Sequence, residues 1–241
     1  MGLSADNVRY DARANAVYVS YGDTKSGGLA VIDVQTWKKV REIPFKFQPE
    51  SFQVDPAGAR VFANLPCGIR ATADGAVAVA DRNTSKIEIE LQLKDRARNF
   101  PMAFDAAHEQ LFIACRRPAR VIAIDTRQFA IIAEAACTDD SDDLFYDAKT
   151  NRVLLIGGGF RPDMQEAGDS PPDSRDETGA IDVFSVSEHG ELTRIASTPT
   201  APHARTGFFV PDRRMIHVAV PPRDGRDSEI REYRVPGAGR E

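Results

Sequence analysis

The chain has 241 residues, of which 42% are hydrophobic and 28% charged, and its formal net charge is −5 at pH 7. The acidic balance and the absence of a Lys/Arg block argue against a nucleic-acid-binding protein. No apolar run approaches the roughly 20 residues that cross a bilayer. Three cysteines without a Cys-x-x-Cys pair argue against a disulfide scaffold.

A nine-residue phrase recurs along the chain. It begins at Asp11 as Asp-Ala-Arg-Ala-Asn-Ala-Val-Tyr-Val and returns at Asp55, Asp105, Asp147 and, without the acid, at Val210. A spacing of about 45 residues between short strands is typical of the blades of a β-propeller. The sequence therefore predicts an all-β propeller of four-stranded antiparallel blades, with five recognisable blades and an incomplete last one.

Each repeat predicts four strands in the same order. The first strands are predicted at 8–11, 52–55, 102–105, 144–147 and 207–210, and the second begin at 17, 61, 111, 153 and 216. Third strands are expected at 29–33, 76–81, 121–125, 180–184 and 229–235, and the alternating segment 86–93 is typical of a polar outer strand. We expect one domain with blades at about 6–47, 48–95, 96–138, 139–198 and 199–241. Segment 65–75 lengthens a hairpin, and the Gly-, Pro- and Asp-rich segment 157–178 is expected to be a mobile inserted loop.

An acid ends most first and third strands and precedes a polar turn. A carboxylate at such a position accepts hydrogen bonds from turn amides. We therefore predict a turn-capping role, and no catalytic role, for Asp11, Asp55, Asp105 and Asp147 after first strands and for Asp33, Asp81 and Asp125 after third strands.

Several phrases resemble the YVTN-type, YncE-like β-propeller family. They are Tyr-Val-Ser-Tyr at 18–21, Gly-Leu-Ala-Val-Ile-Asp at 28–33, Asn-Phe-Pro-Met-Ala at 99–103, Asp-Asp-Leu-Phe-Tyr-Asp-Ala at 142–148 and Pro-Thr-Ala-Pro-His-Ala-Arg-Thr at 199–206. Members of that family have seven blades behind an export signal. The resemblance implies that this chain corresponds to the last five blades, and that it is periplasmic or secreted if a signal precedes Met1. Apolar faces on the terminal blades would then favour a homo-oligomer.

Polar residues stand at the start of each innermost strand, four to six positions before the repeated phrase. A propeller brings these starts together at the mouth of its central channel, so we expect a shared ligand site there. Arg205 is the expected anchor for an anion. The predicted ligand-binding residues are Asn7, Glu50, Asn99, Asp143, His203 and Arg205, beside Asp6 and Asp142.

The same residues admit other interpretations. They could cap strands and bind channel water. Alternatively, Glu50, Asn99 and Asp143 could hold a divalent cation such as Ca²⁺, by analogy of position with gluconolactonase-type propellers, in which a bound metal polarises a lactone. A third hypothesis is a protein-interaction module that uses segment 157–178 or an open terminal blade. No nucleophile elbow or phosphate loop is present, and the basic turn 116–120 is expected to be solvated. The leading hypothesis is a non-catalytic binding or scaffold protein.

Overall fold

A computed structural model describes residues 4–23, 25–66, 74–165, 175–235 and 237. These residues form a five-bladed β-propeller, which confirms the predicted fold class. Four blades have four antiparallel strands in sequential order, and blade 5 has three. Within these ranges, no helix has the length and hydrophobicity needed to cross a lipid bilayer.

The strands of each blade run outward from the propeller axis. Blade 1 contains β1 (Ser4–Asp11), β2 (Ala16–Gly22), β3 (Gly27–Asp33) and β4 (Lys38–Phe45). Blade 2 contains β5 (Phe52–Val54), β6 (Arg60–Leu65), β7 (Gly75–Asp81) and β8 (Ile87–Leu93). Blade 3 contains β9 (Ala97–Asp105), β10 (Gln110–Arg117), β11 (Ala119–Asp125) and β12 (Ala130–Ala136). Blade 4 contains β13 (Ser141–Asp147), β14 (Arg152–Gly157), β15 (Ala180–Val186) and β16 (Leu192–Pro199), and blade 5 contains β17 (Thr206–Val210), β18 (Met215–Val220) and β19 (Glu229–Arg234).

The acids at the strand ends cap the following turns, as the sequence predicts. Asp11 Oδ1 accepts hydrogen bonds from the amides of Arg13 at 3.0 Å and Ala14 at 3.2 Å. The same two-amide arrangement recurs at Asp33, Asp55, Asp81, Asp105 and Asp125. Asp147 accepts from the amide of Lys149 and the hydroxyl of Thr150. Turn capping therefore accounts for the acid in the repeated phrase.

Four hydrophobic clusters hold successive blades together. Each cluster joins one blade to the next, from the blade 1–blade 2 junction to the blade 4–blade 5 junction. The side chains at each junction are almost fully buried; Phe52, Phe62, Phe112 and Phe184 are 0% exposed. Among the described residues, no such cluster joins blade 5 to blade 1. We call this place the seam.

Blade 1 exposes apolar side chains at the seam. Val8 is 53% exposed and Tyr10 60% exposed. The residues that take the position of Val8 in blades 2, 3 and 4 are Phe52, Met102 and Leu144, all buried against the preceding blade. Blade 1 therefore presents to solvent the same kind of surface that the other blades bury.

The inserted segment 157–178 is described at both ends, whereas residues 166–174 lie outside the described ranges. The amides of Gly158 and Gly159 donate to the backbone carbonyls of Asp140 and Asp139, and the Phe160 amide donates to Asp176 O at 2.8 Å. Gly159 has φ of +87°, and a Cβ at this position would lie 2.3 Å from the Glu177 carbonyl. These contacts bind both ends of the insert to blade 4. The predicted hairpin extension at 65–75 also falls largely outside the described residues, at 67–73.

Candidate functional site

The innermost strands of all five blades surround an axial cavity of about 630 Å³. Strands β1, β5, β9, β13 and β17 contribute its wall, as a propeller requires. Apolar side chains such as Phe104 and Phe145 cover one part of the wall. The charged and amide groups of the wall are Asp6, Asn7, Arg9, Glu50, Gln53, Asp142 and Asp143.

A second cavity of about 600 Å³, the mouth cavity, adjoins the axial cavity. The two cavities share Asp6, Glu50, Phe100 and Asp142. The mouth cavity is also lined by Arg116, Arg161, Met164 and Arg205. A ligand entering from the mouth would thus pass an arginine-rich rim before it met the carboxyl groups that separate the cavities.

β-bulges explain why neighbouring residues face the same cavity. Successive side chains of a regular strand alternate between faces, yet Asp6 and Asn7 both line the axial cavity, as do Asp142 and Asp143. The pairing of β1 with β2 shifts register between Ala5 and Val8, and that of β13 with β14 shifts between 141 and 143. An extra residue in the inner strand twists it locally, which directs two polar side chains toward the axis.

Four of the six predicted ligand-binding residues line these cavities. Asn7 and Asp143 lie on the axial cavity, Glu50 lies on both cavities, and Arg205 lies on the mouth cavity. The carboxylate of Asp143 accepts a hydrogen bond from the Gly207 amide at 2.8 Å. Counting back from the repeated phrase therefore identified residues that meet near the axis from four different blades.

Asn99 and His203 line neither cavity. The Asn99 side chain is fully buried inside blades 2 and 3, where its amide donates to Asn64 Oδ1 at 3.0 Å and Ala76 O at 2.9 Å. A register shift in β9 between 99 and 102, beside Pro101, turns it away from the axis. His203 is exposed, with φ of +64°, and its amide donates to the Gly158 carbonyl. Both residues serve the local structure in this arrangement.

An ion-pair network closes the arginine side of the mouth cavity. Asp140 is 3% exposed and lies 2.8 Å from Arg205 Nη1, 3.0 Å from Arg116 Nη1 and 3.8 Å from Arg161 Nη1. Asp142 binds Arg116 at 2.6 Å and Arg205 Nε at 3.4 Å. Since two carboxylates already bind its guanidinium group, Arg205 is held as part of the wall. This pairing weakens its predicted role as an anion anchor.

The basic turn at 116–120 is not the solvated rim that its sequence suggested. Arg116 and Arg117 are 7% and 8% exposed. The Arg116 guanidinium donates to Ser141 O at 2.8 Å and lies 4.1 Å from the centroid of the Phe100 ring. Arg117 binds Asp139 at 3.0 Å. The arginines are buried because blade 4 supplies carboxylates at the start of β13, a match that only the folded arrangement reveals.

Glu50, Asp142 and Asp143 hold their protons more tightly than usual. Burial, a hydrogen bond with Asp6 and the negative charges of Asp6 and Asp142 raise the pKa of Glu50 to about 8. Burial also raises the pKa of Asp143 to about 6 and, against the opposing effect of Arg116, raises the pKa of Asp142. Burial lowers the pKa of Arg9, and the negative charges of Asp143 and Asp6 oppose this shift. Among the described residues, Arg9 is the one basic side chain that lines the axial cavity, beside four carboxyl groups, so the wall is predominantly acidic.

The predicted metal ligands do not converge. Glu50 and Asp143 line the axial cavity, but Asn99 is fully buried and lines neither cavity. Within the part of the chain that the structure describes, no group of three or more His, Cys, Asp or Glu side chains is arranged to hold a metal ion. The arrangement is suited to binding a polar molecule through carboxyl groups, the Gln53 and Asn7 amides and the Phe100 ring.

Sequence reasoning missed the residues that balance the charge of the site. Arg9, Arg116, Asp140 and Arg161 all contribute to the cavity walls or to their ion pairs. One signal was available: Asp139, Asp140, Asp142 and Asp143 form a dense acidic run at the start of a predicted inner strand. Such a run in a buried place requires nearby cations, and the Arg-Arg pair at 116–117 was the candidate.

Comparison with solved structures supports the propeller architecture. The chain is similar to a structure titled Kuenenia stuttgartiensis hydrazine synthase, with a TM-score of 0.68 and 14% identity over 88% of this chain and 54% of that one. It is similar to the WD40 domain of Toxoplasma gondii coronin, with a TM-score of 0.64 and 10% identity over 89% of this chain and 52% of that one. A chain of the mitotic checkpoint complex matches with a TM-score of 0.54 and 12% identity, over 97% of this chain and 75% of that one.

The chain spans about half the length of the first two of these structures. At such identities the similarity concerns the fold alone. No protein-family profile matches the chain, and no curated protein matches it. The resemblance to the YVTN-type family therefore stays a prediction.

Proposed function

We propose that this chain is a non-catalytic binding or scaffold propeller whose axial cavity holds a polar ligand. The observation that carries the proposal is the set of carboxyl groups at the boundary of the two cavities. Asp6, Glu50 and Asp142 reach it from three blades, and Asp143 lies beside them on the axial cavity. Arg116 and Arg205 are already paired with Asp140. WD40-type propellers among the similar folds agree with a scaffold role.

The charge balance indicates which ligand the cavity would favour. Four carboxyl groups and one arginine, Arg9, line the axial cavity. Such a wall gains most from a ligand that donates hydrogen bonds or carries positive charge, because the ligand offsets the cost of burying the carboxyl groups. Burial, together with the neighbouring acids, raises the pKa of Glu50 and of Asp143, so both carboxyl groups would gain from such a ligand. We therefore expect a donor-rich ligand in preference to the anion that Arg205 alone suggested.

Thermal unfolding with small probes tests this function, since a ligand that binds only the native state must stabilise it. Putrescine and L-arginine at millimolar concentration should raise the melting temperature, and citrate should not. The shift should disappear in Asp143→Asn and persist in Asp212→Asn, a matched control whose carboxylate is 93% exposed. Equal shifts in the two variants, or no shift in the wild type, would refute the proposal. The metal alternative instead requires that Ca²⁺ stabilise the protein and that Glu50→Gln remove the effect.

A second candidate function is protein interaction through the side of blade 1 that faces the seam. This surface is formed by Val8, Tyr10, Val17 and Val19. Cross-strand pairing places Val8 opposite Val19 and Tyr10 opposite Val17. In blades 2–4 the corresponding side chains pack on a neighbouring blade. We expect a second copy of the chain to cover this face.

Sedimentation velocity tests whether the chain associates with itself through blade 1. We choose protein concentrations between about 5 and 100 µM, on the order of common dimer dissociation constants. The wild type should associate, and Tyr10→Ser should be monomeric. Ile132→Ser removes a comparably exposed apolar side chain from an outer strand and should leave association unchanged. A monomeric wild type at the highest concentration would exclude self-association through blade 1.

A further inference from the structure

A third concave surface, the basic groove, lies at the far end of blade 1 from Asp6. It has a volume of about 530 Å³ and runs between the turns of blades 1 and 2. Three guanidinium groups line it, from Arg13, Arg41 and Arg82. The hydroxyl-bearing Tyr18 and the amide-bearing Asn83 complete the polar part of its wall. It is separate from the axial site and independent of the function proposed above.

One of the three cations is neutralised within the fold. Arg82 is 5% exposed, and its Nη1 lies 2.8 Å from Asp11 Oδ2 and 3.4 Å from the Asp55 carbonyl. Asp11 itself caps the turn that carries Arg13. Arg82 therefore forms a fixed floor for the groove and ties the two blades together.

The other two cations are held by backbone carbonyls and not by carboxylates. Arg13 Nη1 donates to the Ala57 carbonyl at 2.6 Å, across the blade 1–blade 2 junction. Arg41 Nη1 donates to the Arg82 carbonyl. Among the described residues, neither forms an ion pair, although the charge of Arg41 helps to lower the pKa of Asp81. A guanidinium has five N–H donors, so each side chain is oriented by one bond and keeps most of its donors.

The corresponding place between blades 2 and 3 is arranged differently. Arg60 lies 3.3 Å from both Asp55 and Glu109 and donates to the Thr126 carbonyl at 2.8 Å. Arg127 lies 3.0 Å from Asp125. Each arginine there has a carboxylate partner from the protein. The basic groove lacks those partners for Arg13 and Arg41, in a protein whose net charge is −5.

We infer that the basic groove binds a phosphate group, held between the guanidinium groups of Arg13 and Arg41. The planar guanidinium matches the spacing of phosphate oxygens and binds them in a bidentate manner. The carbonyl bonds fix both side chains in advance, which reduces the entropy lost on binding. The volume of about 530 Å³ exceeds that of a phosphate ion, so an organic group attached to the phosphate can lie in the rest of the groove, beside the exposed Asn83.

Calorimetric titration at constant ionic strength tests this site on the whole chain. The probes are inorganic phosphate and phenyl phosphate, with sodium chloride as the reference salt. Arg13→Gln and Arg41→Gln should each weaken phosphate binding by about tenfold, the loss expected for charge-assisted hydrogen bonds. Arg213→Gln is the matched control, because Arg213 is exposed in the corresponding turn of blade 5. It should bind both probes as the wild type does.

The two probes also distinguish the source of the phosphate. Tighter binding of phenyl phosphate identifies a phosphate ester as the ligand class, and equal binding identifies the free ion. Either result supports the site if the arginine variants weaken it. Absence of saturable phosphate binding in the wild type would overturn the proposal. So would equal affinities in Arg41→Gln and Arg213→Gln, provided that circular dichroism shows both variants folded.

Discussion

Replacing Glu50 with glutamine should change how the stability of this protein depends on pH. The pKa of Glu50 is raised from its ordinary 4.5 to about 8 by burial and by the neighbouring Asp6 and Asp142. The folded state therefore binds the Glu50 proton more tightly than the unfolded state does. Between pH 4.5 and 8 the wild type loses stability as the pH rises, because only the unfolded state can release this proton at low cost.

The size of the effect follows from the shift. One pKa unit corresponds to about 1.4 kcal/mol, so the full shift would correspond to about 4–5 kcal/mol for a carboxylate shut off from water. Glu50 is half-buried and borders two open cavities, and water there solvates part of its charge. We expect about 2 kcal/mol at pH 9 and close to zero at pH 5. Glutamine keeps the shape of the side chain and a donor for Asp6.

Thermal unfolding of Glu50→Gln across this pH range provides the measurement. At pH 9 the variant should melt about 4–8 °C above the wild type, given the usual scaling for a domain of this length, and at pH 5 the two should coincide. The control is Glu88→Gln, which removes an exposed carboxylate from β8 and should give the same difference at both pH values. A Glu50→Gln difference that does not grow with pH would show that the carboxyl group ionises freely.

Two further predictions concern groups that the fold buries. Arg116→Met should destabilise the protein by about 2–3 kcal/mol in chemical denaturation, because the buried Asp140 loses one of its arginine partners and keeps Arg205. Arg127→Met removes a 62% exposed partner of Asp125 and should cost less than about 1 kcal/mol, and equal costs would contradict the network. Cys115 is fully buried, and burial raises the pKa of its thiol to about 12, so iodoacetamide at pH 8 should label Cys115 only after unfolding, as read by peptide mass spectrometry.

The sequence predicts the architecture because each repeat encodes the same local physics. An acid, a polar turn and a short apolar strand recur in phase, and each acid caps its turn as expected. The start of every inner strand then meets the axis by geometry alone, which is why Asn7, Glu50 and Asp143 could be assigned to one cavity from their positions.

The sequence could not predict the directions of individual side chains near the axis. They depend on bulges in the inner strands, and a bulge of one residue reverses the face of everything beyond it. The bulge in β1 brings Asp6 and Asn7 to the cavity together, whereas the one in β9 turns Asn99 into the blade. The acidic run at 139–143 indicates that cations lie nearby, but the sequence does not show which carboxylates Arg116 contacts across the blade junction.

The seam lies between blades 1 and 5, and comparison of the repeats shows that the side chains they place there differ in polarity. His217 occupies in blade 5 the position of Tyr18, Phe62, Phe112 and Leu154, which are buried in the other blades. It pairs across the sheet with Glu232, whose side chain is 64% exposed. At this position blade 5 therefore has a polar pair where the other blades have buried apolar side chains.

On its side of the seam, blade 1 has apolar residues at the positions where blades 2–4 also have apolar residues. Val8 and Tyr10 belong to residue types that the other blades bury, and both are more than half exposed. Packing blade 5 against this face would bury His217 and Glu232 without partners of opposite charge from blade 1, which is unfavourable. The face of blade 1 is therefore better matched by another apolar surface than by closure of the ring on blade 5, and this mismatch is the physical reason to look for association through Tyr10.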